Sequence, residues 1–234
     1  MTLSGKTEDA RNEKDVFEHL LSLNGKEILE LGCGKAQMTR LIATAGQDRK
    51  ITATEVDKIQ HNKNMLIDDL PNVTFVYAGS EAIPFDDDTF DIIFMFKSLH
   101  HVPIELMGKA LNETKRVLKP GGMAYISEPV FAGDFNEVLR LFHDEQKVRE
   151  AAHRAIKKAI ADGLFSADEI SFNTQITFKN FEEFECNVIN VTHSDHKLSP
   201  EIYQQVKKQF SYSLQEDGAK FLLPLRVDLL QKKL

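Results

Sequence analysis

A carboxylate followed by two glycines marks the stretch of this chain best suited to chemistry: Glu30, Gly32 and Gly34 in "ILELGCGKAQ", residues 28–37. Without side chains at Gly32 and Gly34 the backbone can turn sharply and let a ligand lie against it, while the amides of a following helix point outward. A dinucleotide fingerprint needs a further glycine at the sixth position from Gly32, and Gln37 stands there. An acid at position 30 would repel a pyrophosphate but suits a cationic or amine-bearing ligand. The plain alternative is a tight turn with a solvated glutamate. Glu55 ends the next strand-like segment, 21 residues after Gly34. A carboxylate there can accept both hydroxyls of a ribose, as the acidic residue of dinucleotide sites does. Asp57 is the fallback for that role, and either acid could instead cap the next helix. Together these residues point to a ligand with a ribose and a cationic amine but no pyrophosphate.

The elements that must position them follow from the apolar pattern. "EILEL" (27–31), "KITATE" (50–55), "VTFVYA" (73–78), "FDIIFMF" (90–96) and "GMAYISE" (122–128) are short, rich in β-branched or aromatic residues and nearly all apolar, as strands covered on both faces should be. Helical segments at about 36–46, 58–68 and 103–118 alternate with them, the last with Pro103 in its first turn and "KPGG" at its end. This rhythm predicts a doubly wound α/β sheet over residues 27–128, with ligands beyond the carboxyl ends of its strands. Val16, Phe17, Leu20, Leu21 and Leu23 predict a preceding helix. Beyond Pro129 one stripe from Val138 to Ile160 predicts a long helix, and Ile202, Val206, Phe210 and Leu214 share a face of another over 199–215 that starts at Ser199-Pro200. A helix near 180–188 and two late strands, 170–178 and 220–230, complete the pattern. No repeat or linker separates domains, so one domain is expected: an N-terminal helix (1–25), a cofactor-binding core (26–129), and a helical insertion with the last strands (130–234).

The chain has 234 residues, 42% of them hydrophobic, enough for one substantial core, and a net charge of −7. It offers no overall basic field, which excludes DNA as an expected partner and disfavours RNA. The N-terminal stretch lacks the apolar core of a signal peptide and no apolar run approaches the roughly 20 residues of a membrane span, so a cytosolic protein without a membrane partner is expected. Cys33 and Cys186 are too few for a disulfide framework, agree with a reducing compartment and have no partners at zinc spacing. The two histidines of "HSDH" (193–196) lack a completing ligand, and no metal site is expected.

"ELGCGKAQ", "TATEVD", "AGSEAIPFDDDTFDIIFMFKSLHHV" and "RVLKPGGMAYISEP", in that order and spacing, resemble the class I S-adenosylmethionine-dependent methyltransferases, in particular the type 11-like domains with an "LPF…FD" segment and a "LKPGG" turn. The resemblance implies a Rossmann-like seven-stranded sheet, mostly parallel, with its last strand antiparallel. It implies S-adenosylmethionine as cofactor and S-adenosylhomocysteine as product. Glu30, Gly32, Cys33 and Gly34 would contact the methionine part and Glu55 the ribose, with Val56 beside it. Gly79, Ser80 and Glu81 would lie at the adenine, Ile83 near it, and Phe96 at the end of the fourth strand. Many relatives carry an aspartate where this chain has Gly79, so backbone amides or Ser80 are expected to read the base.

Methyl transfer from a sulfonium is an in-line displacement that mainly needs positioning and exclusion of water. Amine or hydroxyl acceptors gain from a base near neutrality, which makes His100 and His101 the candidate catalytic residues; relatives that share "LHHV" act on different substrates, which implies a structural role for His101. Lys97 could face the donor or the solvent. Glu128 and the segment carrying Asn136, Arg140, His143 and Asp144 would cover a small polar acceptor, although such groups on an amphipathic helix usually face water. The expected activity is methylation of a small polar metabolite, at N, O or S. The competitors are an RNA-modifying methyltransferase, a metalloid methyltransferase, which would need more cysteines, and a regulatory domain that binds the nucleoside without turnover.

Overall fold

A computed structural model describes residues 10–190 and 197–233; "HSDH" lies outside them. The element order is α1 (Glu13–Leu20), β1 (Glu27–Leu31), α2 (Gln37–Thr44), β2 (Lys50–Glu55), α3 (Lys58–Asn64), β3 (Val73–Tyr77), β4 (Phe90–Phe96), α4 (Met107–Val117), β5 (Leu118–Pro129), α5 (Asp134–Leu139), α6 (Gln146–Ala161), β6 (Phe165–Phe178), α7 (Phe181–Phe184), α8 (Pro200–Ser211), β7 (Leu214–Gln215) and β8 (Gly218–Lys232). The sheet runs β3-β2-β1-β4-β5-β8-β6, with β7 paired antiparallel to β8. It is mostly parallel, with the last strands antiparallel. The eighth strand beyond the expected seven is the two-residue β7.

The chain divides into two compact units. The larger holds Glu13–Glu128, Val148–Ile170 and the described part of Arg226–Leu234. Strand alternation gives its sheet two different faces. One carries Leu29, Leu31, Ile93, Met95, Ala124 and Ile126, buried with residues of α4 and α6 in a continuous apolar core. The register then aligns the other face: Glu30 opposite Ala53 and Phe94, Phe94 opposite Tyr125, and Phe96 opposite Ser127. Phe17 of α1 covers this second face, its ring 5.3 Å from Phe94, 5.7 Å from Phe96 and 6.2 Å from Tyr125. The smaller unit comprises Pro129–Lys147, Ser171–Leu225 and the described part of Met1–Asn12, and its core is phenylalanine-rich, with Phe178, Phe184, Phe210 and Phe221 around Val138 and Val206.

Four boundaries differ from expectation. Strand β5 begins at Leu118, and its pairing jumps from Phe90–Leu118 to Ile92–Met123, so "KPGG" bulges within the strand. Gly122 is required there, because a Cβ would lie 2.8 Å from the Lys119 carbonyl and 2.9 Å from that of Asp91. The expected long helix is two, α5 and α6, because the Asp144 carboxylate accepts the Gln146 amide (3.0 Å) and starts a new helix. Helix α8 stops at Ser211, which leaves Leu214 in β7 at 51% exposure and off the buried stripe of Val206 and Phe210. The last strands are also longer than their apolar cores suggested. Among the described residues no helix is long and apolar enough to cross a membrane.

Helix α1 is tied to the sheet by one buried cation. Arg49, whose side chain is 3% exposed, donates to both Glu18 carboxylate oxygens (2.7 and 2.8 Å), to the Ile42 carbonyl (3.0 Å) and to Asn24 (3.2 Å). Removing one partner of a buried pair leaves an uncompensated charge. Glu18→Ala is therefore expected to lower stability by about 3 kcal/mol, the low end for such a change because Glu18 is partly exposed; urea denaturation reads this directly, and a loss below about 0.5 kcal/mol would mean the pair does not hold α1.

Candidate active site

The turn after β1 is built by backbone geometry that its sequence permits. Gly32 has φ +74° and Gly34 φ +52°, left-handed values that favour glycine. At Gly32 a Cβ would also lie 2.9 Å from the Ser98 Cβ, whereas at Gly34 the same direction opens onto free space. The amides of Gly32 and Cys33 donate to the Thr54 carbonyl (3.0 and 2.9 Å), which ties the turn to β2. Three further residues secure it, all missed in the sequence. Asn64 of α3, buried, donates to the Gly34 carbonyl (2.8 Å); Thr39 donates to Glu30 (2.6 Å); Ser98 donates to the Leu31 carbonyl (2.8 Å). Nothing in their local sequence singles them out, since each matters only through contacts 9 to 67 residues away.

Two carboxylates flank this turn on the same face of the sheet. Glu30 is 2% exposed, not solvated, and burial pushes its carboxyl up to about 8, with the Thr39 hydrogen bond and the nearby Lys97 charge opposing the shift. Glu55 is oriented by backbone amides: one oxygen accepts from Gly34 (2.8 Å), the other from Val56 and Asp57 (2.8 Å each). A carboxylate offers about four lone-pair sites, so capacity remains for a further donor. Asp57 caps α3 instead, accepting from Ile59 and Gln60 (2.8 and 3.3 Å). Cys33 is buried, and burial beside Glu30 and Glu55 drives its thiol well above the usual range, so it is no nucleophile.

Val56 is exposed beside Glu55, and Ser80 is buried just beyond β3. Glu81 comes close to Gly79: a Cβ built there would lie 2.5 Å from the Glu81 carboxylate. Glu81 thus occupies the room that a side chain at 79 would take, and supplies an acid at that spot. Ile83 is buried in the core with α4. Phe96 stacks on Phe94, centroids 4.9 Å apart, beneath Phe17.

His100 and Glu128, expected as base and acceptor cover, form one buried pair. Nδ1 of His100 donates to one Glu128 oxygen, while the other accepts the amides of Leu99 (2.9 Å) and His100 (3.3 Å). His101 is exposed, its ring centroid 4.1 Å from that of His100. Lys97, at φ +53°, reaches Glu13 of α1 (2.6 Å). In the smaller unit Asn136 of α5 is 1% exposed, contrary to the expected water-facing helix. Arg140 is half-exposed over the Phe131 ring (5.7 Å) and near Glu137 (3.5 Å), and His143 hydrogen-bonds Glu145 (2.9 Å).

Comparison with known proteins adds identity to this geometry. Residues 28–122 match the family model for a methyltransferase domain. The chain is 31% identical over 120 residues to a demethylmenaquinone methyltransferase from Lysinibacillus sphaericus, covering 49% of each protein. It is 34% identical over 115 residues to a ubiquinone/menaquinone biosynthesis C-methyltransferase from Cronobacter sakazakii, covering 46% of this chain and 45% of that one. The chain spans about half the length of the curated relatives it matches. Among solved structures, YcgJ from Bacillus subtilis aligns over 94% of this chain and 98% of its own at TM-score 0.67 and 17% identity. The [4+2]-cyclase SpnF aligns over 99% and 85% at TM-score 0.56 and 18% identity. Both show the fold. Residues 28–122 are therefore similar to a methyltransferase domain, in agreement with the resemblance that the sequence carries.

The residues present fit the cofactor of that resemblance, S-adenosylmethionine. A buried carboxylate held mostly protonated, as Glu30 is, calls for a cation, and an α-ammonium is one. Alone it makes folding take up a proton: the group titrates at its ordinary 4.5 when unfolded and about 8 when folded. The native state binds more protons between those values, so stability falls as pH rises from about 5 to 8. The difference is worth on the order of 4–5 kcal/mol. Glu30→Gln is expected to flatten that slope in urea denaturation between pH 5 and 8; an unchanged slope would mean that Glu30 ionises normally in the free protein.

Proposed function

We propose that this chain is a cytosolic enzyme that transfers the methyl group of S-adenosylmethionine to a small polar metabolite by in-line displacement, at N, O or S, leaving S-adenosylhomocysteine. The observation that carries the reading is the pair of carboxylates, Glu30 and Glu55, on one sheet face with the Gly32–Gly34 turn between them. Glu30 binds the amino acid's ammonium, and Glu55, already aimed by three backbone amides, accepts from one ribose hydroxyl. Val56 and Ser80 border the adenine, and Glu81 accepts from its amino group in place of the acid missing at position 79. The cofactor, when bound, supplies an electrophilic methyl on a sulfonium.

The remaining work falls to positioning. Gly32 and Gly34 let the backbone approach the ligand, and the apolar sheet face under Phe17 excludes water. His100, oriented by Glu128, takes a proton from an N–H or O–H acceptor in this reading, which its hydrogen bond to that carboxylate supports. A small-molecule acceptor agrees with relatives named for quinone methylation and with a net charge of −7, which argues against a nucleic-acid substrate. Both cysteines are free, as in a reducing compartment.

Calorimetric titration with S-adenosylmethionine is expected to give saturable binding that Glu55→Ala weakens by roughly 1–3 kcal/mol, the scale for lost hydrogen bonds to a charged group. Incubation of protein and donor with a metabolite extract should then produce a species heavier by one methyl. Donor binding without any such species would contradict transfer; no donor binding would contradict the reading altogether.

A further inference from the structure

The sheet face that carries Glu30 also holds polar atoms that the cofactor reading does not use. Tyr125 and Ser127, two residues apart on β5, point to that face and are both fully buried. Glu13, one turn before Phe17 on α1, lies on the helix face turned toward them and is 6% exposed. Among the described residues, the Tyr125 hydroxyl, the Ser127 hydroxyl and one oxygen of Glu13 have no hydrogen-bond partner. The other Glu13 oxygen accepts from Lys97 (2.6 Å). Phe17, one turn after Glu13, has its ring 6.2 Å from that of Tyr125, and burial, with the Glu13 charge adding to it, raises the Tyr125 phenol well above its ordinary value.

Unpartnered polar groups this deep are costly, on the order of 1–3 kcal/mol each, and native structures keep them where something else pairs with them. Three on one face, bordered by the rings of Phe17 and Phe96, form a patch whose position relative to the cofactor turn follows from register. Tyr125 pairs with Phe94 and Phe94 with Glu30, so the phenol's strand lies two strand spacings, about 10 Å, from the carboxylate assigned to the ammonium.

We propose that Glu13, Tyr125 and Ser127 form the subsite that anchors the methyl acceptor, and that it takes a neutral, hydroxyl-bearing planar ring. This rests on the methyltransferase reading above. Lys97 already neutralises Glu13, so no net charge is left to favour a cation. The free oxygen of Glu13 calls for a hydrogen-bond donor, which a ring hydroxyl supplies without adding charge; the two hydroxyls can both give and accept, and aromatic edges and faces suit a flat ring. Methyl donor and acceptor thus bind to separate carboxylates, Glu30 on the sheet and Glu13 on the helix that covers the same face.

Catechol tests the hydroxyls and toluene the ring alone. Each is titrated into protein saturated with S-adenosylhomocysteine and carrying ¹³C-labelled tyrosine; the chain has 4 tyrosines, and Tyr125→Phe assigns the relevant signal. Catechol is expected to shift the Tyr125 ring resonance saturably and toluene not to. Glu13→Gln should raise the catechol Kd at least tenfold, and Ser127→Ala severalfold, with the S-adenosylhomocysteine Kd unchanged in both. No saturable shift, as a trapped water alone would give, an equal response to toluene, or an unaltered catechol Kd in Glu13→Gln would overturn the subsite. Loss of S-adenosylhomocysteine binding in the unmutated protein would instead overturn the cofactor reading.

Discussion

A carboxylate buried against a glycine turn is the constraint around which the rest of this molecule is arranged. Glu30 sits on a central strand, 2% exposed, with one hydroxyl from Thr39 for company. Water cannot stabilise its charge, and Lys97 acts on it only through space. Such a group is tolerable neutral and becomes favourable as an anion only when a cation docks beside it. Everything nearby preserves that state: Asn64 and Thr54 hold the turn, Glu55 grips the Gly34 amide, and Phe17 seals the face beyond.

The same logic explains why α1 matters. It brings Phe17 onto Phe94, Phe96 and Tyr125 and Glu13 onto Lys97, and it is itself held by Glu18 on buried Arg49. The helix thus links the covering of the apolar face to the electrostatics around Glu30. The fold alone does not decide the chemistry: a structural neighbour of the same architecture is a [4+2]-cyclase. Reaction type rests on the particular residues at the strand ends.

Much of this was legible in the sequence, and the reason is local. The alternation of short apolar strands with helices, the glycine spacing and the acid at the end of β2 are all properties of a few consecutive residues, and each landed where expected. Glu30 was readable as an acid at a turn, but not as a buried one, because burial depends on strands and a helix that the turn does not contain. Asn64, Thr39 and Glu13 were silent for the same reason. His100 and Glu128 were separately visible, but their pairing needs β5 beside the end of β4. The bulge at "KPGG" and the break before α6 were missed because a turn-like tetrapeptide can sit within a strand, and because one aspartate can restart a helix that apolar periodicity would continue.

If Glu30 is the ammonium's partner, binding must ionise it. At pH 6.5 the free carboxyl, titrating near 8, is mostly protonated, while the ligand's amine is charged. Calorimetry of S-adenosylhomocysteine binding at that pH, in buffers of different ionisation enthalpy, should show release of about one proton per ligand, and none in Glu30→Gln. Tight binding with no proton released from the unmutated protein would contradict the account.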